Sequence, residues 1–399
     1  MRVTDPTFTR GADVKRSSKI LFTCRPLSGH FDPLLPLAAA ARASGHTVAF
    51  ASGDPVVGRA RDLGFTAFEA GPAEAFRTEW APRFPGFTDL VGDAQRKFFF
   101  TEIFANLELG PRAADLEPVM SAWQPDLVVH EMAELAAPMV STALGIPYVD
   151  VGYGSLIPRA LLEAAGAAAA THWRARRLEP DPLAGVFRYL YVDPCPPALQ
   201  NPEIADLAAV QPMRSAAGET HVTERSAWLD ELPHRPTVYV TLGTIWNTDL
   251  DIFRLVIEAL SDRVNLIVTV GRQNDPATLG PPPSGVVIRS YIPQHEFLPW
   301  CDAVVAHGGA GTVLGALAYG VPLLVVPQGA DQWSNADQIV TAGAGLRLLR
   351  DELSAVAVRD CVMALLNDPS YRGAASKIKD EIGAMPSAAD AIVGLEALL

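Results

Sequence analysis

Residues 304–327 read VVAHGGAGTVLGALAYGVPLLVVP, and this stretch decides the fold that the sequence predicts. The apolar run from Ala303 to Ala306 indicates a buried strand, the glycines indicate a turn, and Thr312 to Tyr319 indicates a short helix. A second apolar run from Val321 to Pro327 completes a strand, turn, helix and strand of the parallel-sheet kind. Glycines let a ligand approach the backbone, and a helix N-terminus attracts anions. We therefore predict a phosphate-binding turn with His307 at its edge.

Composition limits the classes of partner. The 399 residues carry a formal net charge of −13 at pH 7, so neither nucleic acid nor an anionic membrane is an expected partner. The length favours two domains over one. No segment reaches the roughly 18 uninterrupted apolar residues that span a bilayer. Four widely spaced cysteines without metal-ligand spacing favour free thiols in a reducing cytoplasm, where we expect this protein: Cys24, Cys195, Cys301 and Cys361.

The order of apolar runs and turns predicts two α/β domains. A strand from Lys19, a loop, and a helix that Asp32-Pro33 would begin are the opening of a doubly wound domain. Proline and glycine without periodicity then mark a linker before a second series of strands. We place a disordered extension at 1–18, a first α/β domain that would bind the acceptor at 19–215, a linker at 216–234, a second α/β domain that would bind the donor at 235–375, and helices at 376–399 that could pack back on the first domain.

Four segments of the second half follow predicted strands, where an open parallel sheet binds its ligand. They are Gly243-Thr244, Tyr291 to Gln294, His307 to Thr312, and Gln328 to Gln332. Each segment has side chains or free backbone groups suited to one part of a nucleotide sugar. Their occurrence in this order is stronger evidence for such a site than any one of them alone.

These residues resemble the donor-binding signature of glycosyltransferase family one, whose members have the GT-B fold. The match is close over Tyr291 to Gln332 and extends, through Gly29-His30 and the strand spacing, over most of the chain. Its variant of the signature is similar to that of actinobacterial enzymes that glycosylate natural products. The resemblance implies two Rossmann-like α/β domains facing a cleft. It also implies an inverting, metal-independent sugar transfer from a nucleotide diphosphate to a small acceptor.

The resemblance also assigns the donor contacts. His307 and the N–H groups of the glycine turn would hold the diphosphate, in agreement with the chemistry of a helix N-terminus. A tyrosine in place of the more usual tryptophan would hold a pyrimidine nucleoside. Thr244 and Asp331 keep a structural alternative, because either could be a helix N-cap. The residues assigned to the donor are Thr244, Tyr291, Ile292, Gln294, His307, Gly309, Ala310, Gly311, Thr312, Asp331 and Gln332, of which the last two would bind sugar hydroxyls.

In the first half, His30 is the expected general base. An acceptor hydroxyl has a high pKa, so it needs a proton acceptor with a pKa near neutrality within hydrogen-bond reach. A carboxylate that orients the imidazole would strengthen such a base. Glu131 stands where the family often has an acidic partner, so we rank it ahead of Glu134. Asp32 is a third candidate, but it is better explained as a helix N-cap.

The identity of the substrates follows less directly. The phenylalanine-rich stretch at 76–109 is either core or the wall of a pocket for an aromatic or polyketide-like acceptor. The resemblance implies a deoxysugar carried by dTDP, with a UDP-glucose donor as the alternative. No cofactor or metal is expected besides these co-substrates, and a homodimer is left open. Two other classes compete: a nucleotide-sugar epimerase on the same fold, and a non-catalytic nucleotide-sugar-binding protein.

Overall fold

The computed structural model describes residues 17–73, 81–215, 224–233, 236–243, 247 and 249–399. These residues form two doubly wound α/β domains, each built on one parallel sheet. Most of the predicted N-terminal extension and part of the predicted linker lie outside the described ranges. Within those ranges, no helix is both long and apolar enough to cross a membrane.

The first domain has seven strands and helices on both faces of its sheet. Its strands are β1 (Lys19–Thr23), β2 (Thr47–Ser52), β3 (Thr66–Glu69), β4 (Leu127–Glu131), β5 (Tyr148–Val151), β6 (Leu190–Asp193) and β7 (Val210–Pro212), in the order β3-β2-β1-β4-β5-β6-β7. Its helices are α1 (Ser28–Phe31), α2 (Leu35–Ala43), α3 (Val56–Asp62), α4 (Gly92–Phe98), α5 (Leu109–Trp123), α6 (Ala136–Leu144) and α7 (Arg159–Ala175). A 3₁₀ turn, Asp32–Leu34, joins α1 to α2, and a π-helix, Phe99–Glu108, joins α4 to α5.

The second domain repeats this plan with six strands. They are β8 (Thr237–Thr241), β9 (Asn265–Thr269), β10 (Val286–Arg289), β11 (Ala303–Ala306), β12 (Leu323–Val325) and β13 (Gly345–Arg347), in the order β10-β9-β8-β11-β12-β13. The helices are α8 (Leu250–Leu260), α9 (Ala310–Ala318), α10 (Gln332–Thr341), α11 (Ala355–Asn367), α12 (Pro369–Ala384) and α13 (Ala388–Glu396).

The central strands are apolar because helices cover both faces of each sheet. Every residue of β4, β8, β11 and β12 is buried. In the first sheet β1 lies between β2 and β4, and in the second β8 lies between β9 and β11. The connections that follow these neighbouring strands diverge, which opens a crevice at their carboxyl ends. This topology positions the ligand site of each domain.

The last helix, α13, packs on the first domain although it follows the second in sequence. Ala391, Ile392 and Leu395 belong to the same apolar cluster as Leu34 and Leu37. A backbone hydrogen bond reinforces this contact, since the amide of Arg214 donates to the carbonyl of Pro386 at 2.7 Å. The C-terminal segment therefore ties the two domains together.

The segment after β1 differs from the prediction. The helical backbone begins at Ser28 and runs without a break through Asp32, so Asp32 is not a helix N-cap. Its carboxylate instead accepts a hydrogen bond from Arg59 at 2.7 Å. His30 consequently lies on a helical turn rather than in a loop, which fixes the direction of its side chain.

One helix boundary also differs from the prediction. Helix α9 begins at Ala310 rather than Thr312, because Gly309 with φ −62° and ψ 139° takes the N-cap position.

Candidate active site

A cleft of about 520 Å³ lies between the two domains at the carboxyl ends of both sheets. Its walls contain His30 from the first domain and, from the second, most of the residues that the sequence assigned to the donor. These are Tyr291, Ile292, Gln294, His307, Gly309, Ala310, Gly311, Thr312, Asp331 and Gln332. Thr244 lies outside the described residues. The fold therefore brings residues almost 300 positions apart into one cleft.

His30 and Glu131 form a pair at the end of the first sheet. Nδ1 of His30 lies 3.0 Å from Oε1 of Glu131, whose side chain is fully buried behind the ring. The edge of the imidazole packs against Tyr153, with the ring centroids 5.3 Å apart. A carboxylate at Nδ1 holds a proton there, so the lone pair of Nε2 is left for an acceptor hydroxyl.

Backbone groups fix the Glu131 carboxylate. Its Oε1 accepts from the amide of Arg25 at 3.2 Å, and its Oε2 accepts from the amide of Ala133 at 2.6 Å. Burial by itself raises the pKa of this carboxyl, but His30 and the two amides outweigh that effect and lower the pKa to about 2. Glu131 is therefore ionised at neutral pH.

The other two candidate carboxylates have different partners. Glu134 accepts hydrogen bonds from the amides of Ala136 and Ala137 at the start of α6, at 3.1 and 2.9 Å. Asp32 pairs with Arg59, as described above. Of the three candidates, the structure places Glu131 against His30.

Sequence reasoning missed a buried ion pair beside this site. Arg25 donates through Nε and Nη2 to both carboxylate oxygens of Glu108, at 2.9 and 2.8 Å. The guanidinium also lies 4.0 Å from the ring centroid of Phe104. Burial by itself raises the pKa of Glu108, but the charge of Arg25 outweighs burial and holds the pKa of Glu108 below its usual range. The available signal for this ion pair was a charged residue, Glu108, at the end of a phenylalanine-rich segment.

The glycine turn lines the cleft at the N-terminus of α9. The sequence suggested that the amide of Thr312 would bind the ligand. In the structure this amide already donates to the carbonyl of Gly309 at 3.0 Å, so it is not free for a ligand. The amides of Gly309, Ala310 and Gly311 have no hydrogen-bond acceptor within the described part of the chain. These three N–H groups, at the positive end of the α9 dipole, can donate hydrogen bonds to an anion.

His307 packs between two glycines. A Cβ atom at Gly243 or at Gly309 would lie 2.5 Å from its Nε2, and Gly243 also has a left-handed φ of +76°. Burial lowers the pKa of His307 to about 4, although a backbone hydrogen bond with Thr241 partly opposes this. The free protein therefore holds a neutral imidazole. It can donate a hydrogen bond to a phosphate without carrying a positive charge.

Tyr291 is half exposed and lines the cleft. The guanidinium of Arg272, which also lines the cleft, lies 3.7 Å from the centroid of its ring. Sequence reasoning did not single out Arg272. An aromatic face with a stacked guanidinium is a surface suited to a planar base.

The two residues predicted to bind sugar hydroxyls differ in their availability. Asp331 occupies the N-cap position of α10 without capping it, and its Oδ2 accepts from Asn335 at 2.9 Å. Burial raises the pKa of Asp331 above its usual value. In contrast, Oε1 of Gln332 accepts from the amides of Gln328 and Gly329, so that oxygen serves the loop itself.

One Asp-x-Asp triplet, Asp249-Leu250-Asp251, occurs in the sequence, a pattern often associated with metal-bound nucleotide sugars. Asp249 caps α8 by accepting from the amide of Asp251 at 3.2 Å. The two carboxylates pair with Arg350 and Arg254, each at 2.7 Å, and neither lines the cleft. The triplet therefore has a structural role at the start of a helix.

Comparison with known proteins agrees with this arrangement. Residues 101–243 and 255–398 match the families described as erythromycin biosynthesis protein CIII-like, N-terminal domain and C-terminal domain. The chain is also 31% identical to the L-demethylnoviosyl transferase of Streptomyces niveus, over 95% of this chain and 98% of that protein. This chain belongs to glycosyltransferase family one. The resemblance given by its donor signature is thereby confirmed.

Solved structures confirm the GT-B fold of this glycosyltransferase. The glycosyltransferase SnogD from Streptomyces nogalater has a TM-score of 0.71 and 27% identity, with 96% of this chain and 99% of that one covered. The glycosyltransferase VinC in complex with dTDP has a TM-score of 0.75 and 25% identity, with 95% and 99% covered. The protein is an enzyme of the natural-product glycosyltransferase type.

Proposed function

We propose that this enzyme transfers a deoxysugar from a dTDP-sugar to a hydroxyl of an aromatic or polyketide-like natural product, with inversion and without a metal. The observation that carries the proposal is the His30–Glu131 pair, which lies across one cleft from the free amides of the glycine turn. A base on one side and an anion site on the other are the two requirements of a single displacement at a sugar carbon.

In this reaction the acceptor hydroxyl donates its hydrogen bond to Nε2 of His30. As the oxygen bonds to the anomeric carbon, its proton moves to Nε2, and the ionised Glu131 stabilises the resulting imidazolium. The bond from the anomeric carbon to the diphosphate oxygen breaks, and its electron pair leaves with the diphosphate. Because the hydroxyl attacks opposite the leaving group, the anomeric configuration inverts.

The departing diphosphate gains negative charge at the N-terminus of α9. The amides of Gly309, Ala310 and Gly311 and the helix dipole are fixed before the reaction, so they stabilise this charge without reorganising. The buried His307 adds a hydrogen bond. These groups would supply the stabilisation for which other enzymes use a metal, and the metal-independent mechanism rests on them.

The polar groups near Asp331 support a deoxysugar as the donor sugar. Since Oε1 of Gln332 already accepts two backbone hydrogen bonds, Asp331 is the main acceptor for sugar hydroxyls. A sugar with few hydroxyls fits such a site better than glucose does. For the nucleotide, the dTDP complex of the related VinC supports a thymidine diphosphate.

The acceptor is expected to be aromatic because the first-domain wall of the cleft is. Phe99, Phe100 and Phe104 of the π-helix line the same cleft as His30. Large planar rings bury apolar area against such side chains and can stack on them. The residues 76–80 of the predicted aromatic stretch lie outside the described ranges.

A thermal-shift panel of dTDP, UDP and GDP sugars tests the donor, because a ligand bound only by the folded state raises the melting temperature. We expect stabilisation by dTDP compounds. Stabilisation by UDP-glucose alone would support the alternative donor, and no shift with any nucleotide would overturn the proposal. Proton NMR coupling of the glycoside formed with and without EDTA then reads the anomeric configuration and the metal dependence.

A further inference from the structure

The loop that carries Asp331 is held by side-chain amides from both domains. The amides of Gln328 and Gly329 donate to Oε1 of Gln332, within the second domain. The next amide along the chain, that of Ala330, donates to Oε1 of Gln95 at 3.0 Å. Gln95 lies on α4 of the first domain, so the acceptor domain completes the set of hydrogen bonds.

The residue that Gln95 holds has an unfavourable backbone conformation. Ala330 has a φ of +56°, in the left-handed region that alanine rarely adopts because its Cβ approaches the carbonyl oxygen. Such a conformation persists only where its surroundings enforce it. Ala330 lines the cleft and immediately precedes Asp331, so its conformation sets the position of that carboxylate.

Gln95 itself is well placed to enforce this turn. Its side chain is buried, with the residue only 4% exposed, and its Nε2 donates to the carbonyl of Leu90 at 3.0 Å. Both ends of the amide are therefore engaged, which fixes the direction of Oε1. Helix α4 continues directly into the π-helix that carries the cleft-lining phenylalanines.

We propose that Gln95 is a positioning residue through which the acceptor domain sets the sugar-binding loop of the donor domain. The inference rests on the proposed function, in which Asp331 binds the donor sugar. One continuous helical segment then contacts the acceptor with its phenylalanines and holds Ala330 with Gln95. The sugar loop has its binding conformation only while the two domains are in contact at this point.

Binding calorimetry with dTDP and dTDP-glucose as probes tests the proposal. The base and diphosphate contacts do not involve this loop, so Gln95→Ala should leave the Kd for dTDP unchanged. The same change should weaken dTDP-glucose by roughly five- to ten-fold, the effect of one lost hydrogen bond and a less fixed loop. Gln95→Glu keeps an acceptor oxygen for Ala330 but loses the donor to Leu90, so its affinity for dTDP-glucose should lie between those of the wild type and Gln95→Ala.

Two further variants separate positioning from a general loss of domain contact. Gln338→Ala removes a different interdomain hydrogen bond, from Nε2 to Oγ of Ser155 at 2.8 Å, and should leave the affinity for dTDP-glucose unchanged. Ala330→Gly removes the Cβ that disfavours the left-handed turn. Added to Gln95→Ala, it should restore part of the lost affinity.

These measurements distinguish a failure of the positioning role of Gln95 from a failure of the proposed function. If Asp331→Ala weakens dTDP-glucose but Gln95→Ala does not, the positioning role is wrong while the proposed function stands. Equal losses in Gln95→Ala and Gln338→Ala would also overturn the positioning role. If wild-type enzyme fails to bind dTDP, or Asp331→Ala leaves dTDP-glucose binding unchanged, the proposed donor site fails and the inference fails with it.

Discussion

Nδ1 of His30 lies 3.0 Å from the buried carboxylate of Glu131, although the two residues are about 100 positions apart in the chain. His30 lies on α1, the helical turn that follows β1, and Glu131 is the last residue of β4, the neighbour of β1 in the first sheet. The carboxyl ends of β1 and β4 therefore meet at the cleft. This relationship turns an isolated histidine into an oriented base, and it gives the first prediction.

Removing the base should abolish most of the transfer while the donor still binds. We expect His30→Ala to lower kcat by about 10²- to 10⁴-fold, the usual contribution of a general base, with the Kd for dTDP unchanged. Glu131→Gln should lower kcat by a smaller factor, because it leaves the imidazole without its anionic partner. Single-turnover transfer and dTDP calorimetry measure the two quantities.

Asp32→Asn is the matched control for the carboxylate. Its ion pair with Arg59 is half exposed and contributes little, so kcat should change by less than about three-fold. A loss as large as that of Glu131→Gln would show that Asp32, rather than Glu131, supports the base. Unchanged activity in His30→Ala would rule out His30 as the base.

The pH dependence of donor binding should report on His307. Burial keeps its pKa near 4 in the free enzyme. A bound diphosphate favours the imidazolium and raises this pKa, so the complex takes up a proton and the affinity increases as the pH falls toward 4. At pH values above the pKa that His307 has in the complex, the affinity no longer depends on pH.

Calorimetry at several pH values measures this effect. dTDP-glucose is the ligand of choice because, unlike dTDP, it has no terminal phosphate that titrates in this range. His307→Asn should lose the pH dependence and bind roughly 10- to 100-fold more weakly at low pH, as expected for a lost hydrogen bond to a charged group. Equal pH profiles for the wild type and His307→Asn would contradict a contact between His307 and the diphosphate.

Gly309 should not tolerate a side chain. The Cβ of Gly309→Ala would lie 2.5 Å from Nε2 of His307, so the ring must move out of the diphosphate site. We expect a loss of dTDP affinity of about ten-fold or more, with little change in melting temperature because Gly309 has an ordinary negative φ. Gly373→Ala, whose Cβ meets nothing within 4 Å, is the control and should bind dTDP normally.

The Arg25–Glu108 pair should matter for stability. Both side chains are at least nine-tenths buried, so Arg25→Met leaves an unpaired buried carboxylate and should lower the free energy of unfolding by about 3–5 kcal/mol. Replacing both partners, Arg25→Met with Glu108→Leu, should recover most of this loss. Urea denaturation of the three proteins measures it, and a double variant less stable than the single one would contradict the interpretation.

Local sequence determined the elements around the glycine turn. The run Ala303–Ala306 is apolar because β11 is buried on both faces of its sheet, and Gly309 is required because a side chain there would clash with the imidazole of His307. These features depend on neighbours within a few residues, and a single sequence contains that information.

Tertiary structure decided the features that depend on residues distant in sequence. The choice of Glu131 over Glu134 depends on which carboxylate the sheet places behind His30, and both follow the same strand. The contact of Gln95 with Ala330 joins residues 235 positions apart and has no sequence signal. The low pKa of His307 arises from its burial, and one of the two glycines packed against its ring, Gly243, is distant in sequence. Such properties follow from how the elements pack, which local periodicity does not encode.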